Sequence, residues 1–291
     1  MSTAVLETKN LSFIYSKGTG YELAAINDIN VSIEKGELVG VIGHTGSGKS
    51  TLIQHFNGIL KPSSGTVLVE NRDIWEDKTK IRSVRFKVGI CFQYPEYQLF
   101  EETVYKDVAF GPKNMGLSED EIDKTVREAI SFVGLDETYL DKSPFDLSGG
   151  EKRRVAIAGV MAMKPSVLIL DEPCAGLDPK GRNLILSLIE KYRALTESTV
   201  IVVSHSMEDI SKIASKILVM NNSRLAYYDT VSNVFSHAGE LREMGLNIPQ
   251  ITQLFINLKK KGYDVRTDIY NIEDAKKELL GILKGGSSDV K

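Results

Sequence analysis

Residues 38–50 read Leu38-Val39-Gly40-Val41-Ile42-Gly43-His44-Thr45-Gly46-Ser47-Gly48-Lys49-Ser50, and a helix-compatible stretch over residues 51–60 follows. An apolar run, a loop punctuated by glycines and then a helix make a device for holding phosphate. Gly43, Gly46 and Gly48 let the backbone curl until successive amide N–H groups surround an anion at a helix N-terminus, where the dipole already favours negative charge. Lys49 brings a point charge to the β and γ phosphates of a nucleoside triphosphate, and the Ser50 hydroxyl is placed to ligate Mg²⁺. The whole stretch Gly43, His44, Thr45, Gly46, Ser47, Gly48, Lys49, Ser50 and Thr51 is expected to contact ATP.

A second constellation lies at residues 168–172, Leu168-Ile169-Leu170-Asp171-Glu172, an apolar strand that ends in two adjacent carboxylates. Strand alternation sends them to different places. One can face a metal and the other a water, so Asp171 is read as a Mg²⁺ ligand, and Glu172 as the group that orients or deprotonates the water attacking the γ-phosphorus. A solvated acidic strand end is the plainer alternative, and the nearby phosphate loop weighs against it.

Residues 147–151, Leu147-Ser148-Gly149-Gly150-Glu151, admit two readings. Ser-x-x-Glu ahead of a helical run is a capping box, and Lys152-Arg153-Arg154 then reads as the solvated face of that helix. Capping explains the serine and the glutamate. It does not explain two glycines in a first helical turn, where each costs about 1 kcal/mol of helix propensity. Glycines there clear Cβ atoms away so that a phosphate can reach bare amides at the positive helix end. With one phosphate cradle already present, a second suggests a nucleotide shared between two subunits.

The bulk numbers set limits. The chain has 291 residues, 42% hydrophobic and 26% charged, which is ordinary for a globular protein with one large or two modest domains. A net charge of −3 gives no overall basic field for nucleic acid. Residues 1–7 lack the basic and apolar segments of a leader, and no apolar run nears the ~18 residues of a bilayer span. Location in the cytoplasm, with any membrane role peripheral, is the expectation. Cys91 and Cys174 sit in or beside apolar runs and are expected to pack as small hydrophobes rather than pair.

Along the chain, residues 3–33 alternate as strands around Gly18-Thr19-Gly20, with further short strands at 65–70 and 87–92. Residues 95–143 turn helical, with a capping box at Ser118-Glu119-Asp120-Glu121 and a stop at Gly134. Residues 167–170 and 199–203 are the short continuous apolar strands of a parallel sheet. Between them Asp178-Pro179 marks a helix start. From Ser236 the rhythm changes to amphipathic helices at 251–260 and 272–283, and Gly285-Gly286-Ser287-Ser288 reads as a disordered tail. Leu99, Phe100 and Val104, just after Gln93, form an apolar cluster that could line a groove for a partner helix or belong to the core of the helical insert.

Taken together, Gly43-x-x-Gly-x-Gly-Lys-Ser50, Gln93, Leu147-Ser-Gly-Gly-Glu151, Asp171-Glu172, Ala175-Gly-Leu-Asp178 and His205 resemble the nucleotide-binding subunit of an ATP-binding cassette (ABC) transporter over roughly residues 4–230. The resemblance implies an α/β P-loop ATPase with a mixed sheet core, an antiparallel β subdomain and a helical insert at about 95–160. This domain would span 1–235, and 236–291 would form a small, mostly helical C-terminal extension for dimerisation or regulation. It also implies a head-to-tail dimer, with each ATP between one phosphate loop and the other subunit's Ser148, Gly149, Gly150 and Glu151. By the same matching Tyr15 stacks on adenine, Gln93 reaches Mg²⁺ and senses the membrane partner, Asp178 links the two sites, and His205 contacts the γ-phosphate.

A narrower likeness begins after Gln93, in the run from Tyr94-Pro-Glu-Tyr-Gln-Leu-Phe100 to Gly111-Pro-Lys-Asn114. It is similar to the A components of energy-coupling factor transporters, importers of vitamins or metal ions. There two ATPase subunits grip a transmembrane T component, and a separate S component captures the substrate. His44 and the long hairpin at 16–22 resemble the second of two paired, unequal A components, so a heterodimer is favoured at the cytoplasmic membrane face. The rival is a soluble cassette ATPase uncoupled from transport, as in iron-sulfur assembly. Only one phosphate loop occurs and no long coiled coil divides the chain, which argues against the relatives that act on ribosomes or DNA.

Overall fold

The structure is a computed structural model, and it describes residues 4–270 and 272–285. The chain opens with a long hairpin, β1 (Ala4–Tyr15) and β2 (Leu23–Glu34), then enters the central sheet as β3 (Leu38–Gly43). Helix α1 (Lys49–Phe56) leaves the glycine loop, and β4 (Ser64–Val69) with the two-residue β5 (Arg72–Asp73) returns to the hairpin. Helix α2 (Ile81–Lys87) feeds β6 (Val88–Cys91).

The insert that follows comprises α3 (Val104–Met115), α4 (Glu119–Phe132) and α5 (Gly149–Met161). Next come β7 (Val167–Asp171), α6 (Pro179–Thr196), β8 (Thr199–Val203), α7 (Met207–Ile213), β9 (Lys216–Asn221) and β10 (Arg224–Thr230). Four helices finish the described chain: α8 (Val231–Ser236), α9 (Ala238–Glu243), α10 (Gln250–Lys260) and α11 (Ile272–Gly285).

Two sheets result. The first is antiparallel, in the order β2-β1-β4-β5, and the second is mixed, in the order β10-β9-β3-β8-β7-β6. In the second, β9, β3, β8, β7 and β6 run parallel and β10 is antiparallel to β9. Alternation in its strands builds two apolar layers. Leu168, Leu170, Val200 and Val202 face the helical insert, while Val39, Val41, Ile169, Ile201 and Val203 face α1 and the antiparallel sheet. Such strands need water-free cover on both faces, which is why they read as unbroken apolar runs.

Register fixes the site. Val41 and Asp171 both pair with Val203, so the C-terminal ends of β3, β7 and β8 lie side by side, and the loops after them share one edge of the sheet. Ser118 and Glu121 form the expected capping box at the start of α4, and Gly134, at φ +72°, follows its end. Asp178 caps α6 by accepting from the Gly181 N–H at 2.7 Å. Both cysteines are free and buried, and burial pushes each thiol up to about 12.

Two expectations shift. The boundary expected at residue 235 falls inside the main hydrophobic layer, because Val231, Val234, Phe235, Leu241, Leu246 and Ile248 all pack into it. A separate small cluster of Phe255, Val265, Ile269 and Ala275 forms only beyond that point. Of the group Leu99, Phe100 and Val104, Val104 is fully buried and Leu99 8% exposed, so these two are core; Phe100 alone is open, at 58%. The tail at 286–288 lies outside the described residues. No helix among those described is long and apolar enough to cross a membrane.

A nucleotide site at the strand edge

The loop between β3 and α1 is crowded at two of its glycines. A Cβ on Gly43 would sit 2.4 Å from the Met220 carbonyl oxygen, and one on Gly48 the same distance from that of Ala25. Gly46 has open space around it but takes φ +81°, and Gly48 takes +104° as the residue before α1. The Lys49 ammonium lies back along the loop, donating to the carbonyls of Gly43 at 2.8 Å and His44 at 3.0 Å. Burial holds its pKa below the usual lysine value, against the pull of Glu172 and Asp171.

Around this loop the other parts gather. Ser47 is fully buried, with its Oγ unpartnered. Tyr15, at the end of β1, places its hydroxyl 3.3 Å from Thr51 Oγ1 and its ring edge-on to Phe13. His44 is half-buried and Thr45 exposed, the His44 Nδ1 lying 2.8 Å from the Thr45 carbonyl. Cys91 pairs with Leu170, which sets the loop carrying exposed Gln93 beside the end of β7.

Asp171 ends β7 next to Ser50. Burial raises its pKa, while Lys49 and a hydrogen bond from Ser50 pull the other way. A serine hydroxyl beside a buried carboxylate is a hard-oxygen donor pair, the chemistry Mg²⁺ takes when phosphates and water complete its shell. Asp171 and Ser50 therefore fit the ion.

Glu172 is held in a left-handed backbone conformation, φ +49°, with its N–H bonded to the Val203 carbonyl at 2.9 Å. Its Oε1 is buried and makes no hydrogen bond, and His205 Nε2 is 3.5 Å away. Burial, and then repulsion from Asp171, raise the Glu172 carboxyl to about 7. Burial and the nearby Lys49 lower His205. Both shifts run against charge, so the surroundings favour an uncharged pair over a formed salt bridge. A base poised near neutrality suits proton abstraction from water.

The start of α5 has a different character. Ser148 and Glu151 form a reciprocal capping box, and Tyr139 donates to Glu151 at 2.7 Å. These hydrogen bonds hold the Glu151 carboxyl down at about 2. Gly149 and Gly150 are exposed, with ordinary backbone, and a Cβ on either would touch nothing among the described residues. Among the described residues nothing requires glycine at these positions.

Sequence reasoning missed two residues. Arg153 is buried, not on a solvated face: the helix end is exposed, but one turn on α5 packs against the loops after β6 and β7. Asp209, in the first turn of α7, is buried too, and its charge helps to raise Glu172. In the sequence both look like ordinary helix-surface charges. Their burial is set by tertiary packing that leaves no local signal.

Comparisons with known proteins agree with this geometry. A model of the ABC transporter family matches residues 26–175, and one described as AAA domain, putative AbiEii toxin, type IV TA system, matches residues 141–210. An energy-coupling factor transporter ATP-binding protein EcfA2 from Clostridium tetani is 53% identical, covering 98% of this chain and 99% of its own. Its counterpart from Caldanaerobacter subterraneus is 52% identical over 96% of this chain and 98% of its own. Among solved structures, cbiO1 from Clostridium perfringens, part of the ABC transporter complex cbiONQ, aligns with TM-score 0.74 at 41% identity over 87% of this chain and 98% of that one. A dimeric cassette, MJ0796, bound to ADP and Pi aligns with TM-score 0.69 at 27% identity over 78% of this chain and 98% of that one. The chain belongs to the ATP-binding subunits of ABC transporters, in the energy-coupling factor branch.

Proposed function

We propose that this chain binds and hydrolyses ATP with Mg²⁺ to energise an energy-coupling factor importer of vitamins or metal ions. In this reading it works as one half of an ATPase pair, preferably a heterodimer, at the cytoplasmic face of the membrane. The observation that carries it is the pairing of a complete phosphate loop and poised Glu172 with a helix end, Ser148-Gly149-Gly150, whose glycines meet nothing among the described residues. A helix N-terminus stripped of side chains suits a phosphate brought by a second subunit.

Within each site the chain's residues divide the work. Loop amides and Lys49 bind the phosphates, Tyr15 offers a ring to the adenine, and Ser50 and Asp171 hold Mg²⁺, which neutralises phosphate charge. Glu172 accepts a proton from the attacking water. His205 and Gln93 contact the γ-phosphate region, and Asp178 at the start of α6 lies where the two subunits meet.

A groove of about 400 Å³ runs between α2, α3 and α5, lined by Arg85, Phe86, Leu99, Phe110, Val160 and Met163. Phe110 in its wall meets Phe100 edge to face, the rings 5.0 Å apart and both partly exposed. An apolar groove with exposed aromatic rings beside the Gln93 loop suits a helix of the transmembrane T component, through which the S component would be reached. Capture of the tagged chain from mild-detergent membranes tests this. Recovery of a second cassette ATPase and a polytopic membrane protein supports the reading, and recovery as a soluble complex without membrane protein favours the uncoupled ATPase.

A further inference from the structure

Among the described residues, Arg153 and Glu96 form the most deeply buried ion pair, their side chains 4% and 15% exposed. The geometry is a fork: Arg153 Nη2 donates to Glu96 Oε1 at 2.8 Å and Nε to Oε2 at 3.2 Å. The other arm, Nη1, donates to the carbonyls of Pro173 and Ala175. One guanidinium thus joins three elements. Its own helix carries Ser148, Gly149 and Gly150 at the exposed end. Glu96 sits in the tight turn Pro95–Gln98, three residues past Gln93, and that turn leads into Gln98 and Leu99 of the apolar groove. Pro173 and Ala175 belong to the turn that starts at Glu172.

Glu172 needs such a hold. Its left-handed backbone is costly for a residue with a Cβ and persists only where the surroundings impose it. Behind it the Val203 carbonyl fixes the amide; ahead of it the chain is tied by Arg153 at Pro173 and Ala175. Pulling two charges out of water is a poor source of stability, since apolar side chains of the same volume commonly do as well. What the pair supplies is a defined geometry with five donors in a rigid plane, which lysine cannot reproduce. We propose that Arg153 is a positioning residue for ATP hydrolysis, tying the Glu96 turn beside the partner groove to the turn that aims Glu172.

This inference rests on ATP hydrolysis by the chain, and its test separates the two. Steady-state hydrolysis is measured in the assembled transporter, with nucleotide affinity from titration of a fluorescent ATP analogue. Arg153→Gln is expected to lower kcat about 10- to 100-fold, the scale of a misplaced catalytic group, while affinity changes less than about threefold. Arg153→Lys should recover only part. Glu96→Gln should lower kcat alone but add nothing to Arg153→Gln, as expected for residues acting as one unit.

Arg154→Gln is the control for structural loss. Arg154 also anchors carbonyls, those of Val133 and Gly134, but touches neither turn. It should melt earlier and keep kcat within about twofold. If Arg153→Gln does not fold, Arg153→Lys carries the same criterion. A folded variant with kcat within about twofold of the parent, or additive Glu96 and Arg153 losses, overturns the inference alone. A parent transporter that does not hydrolyse ATP overturns the function with it.

Discussion

At Glu172 burial raises the carboxyl to about 7, and this has a cost in stability that a measurement can find. Its folded pKa, about 7, lies above the ordinary glutamate value of 4.5, so the folded state binds a proton more tightly than the unfolded one. The stability from this group is fully present below pH 4.5 and is lost as pH rises through about 7. Glu172→Gln removes the slope. In nucleotide-free protein it should raise stability at pH 8 by on the order of 1–2 kcal/mol after allowance for solvent screening, and hardly at pH 5. Thermal melts at the two pH values check this, and equal shifts would contradict the raised pKa. Lys49→Ala acts on binding instead. Loss of a charged donor worth about 1.5–3 kcal/mol should weaken ATP about 10- to 100-fold, read by nucleotide titration.

At the scale of elements, α3 separates two roles that neighbouring apolar residues share in the sequence. Val104 is fully buried in its first turn, so Val104→Asp places an unpaired charge in the core and should cost more than about 3 kcal/mol, visible as a collapsed melting temperature. Phe100→Ala, at an exposed ring, should leave folding and ATP affinity unchanged and reduce recovery with membranes. Full membrane recovery of Phe100→Ala would remove the groove as the docking surface. The sequence could not divide these residues, because a run of Leu, Phe and Val says apolar but not which side chain meets the core. Elements with strong local chemistry were legible: the glycine loop, the strand ending Asp171-Glu172, and the Ser118 and Asp178 caps. Arg153 was not, since Lys152-Arg153-Arg154 reads as a wet face until the Pro95–Gln98 turn and the turn after Glu172 close over its middle member.

For the whole molecule, the proposed shared site would draw on two different surfaces of one chain. The strand edge carries the phosphate loop and Glu172, and the exposed end of α5 presents Gly149 and Gly150 with no partner among the described residues. Two such chains, or this one and a related subunit, can complete each other head to tail. The most direct test uses Glu172→Gln, which keeps shape and hydrogen bonding but removes the base and should slow hydrolysis about 10²- to 10⁴-fold. Sedimentation with Mg²⁺ and ATP, in the presence of the paired ATPase subunit, should then show an accumulated ATP-bound dimer that Ser148→Arg abolishes. Hydrolysis at the parent rate by the glutamine variant, or closure undisturbed by Ser148→Arg, would contradict the shared-site account.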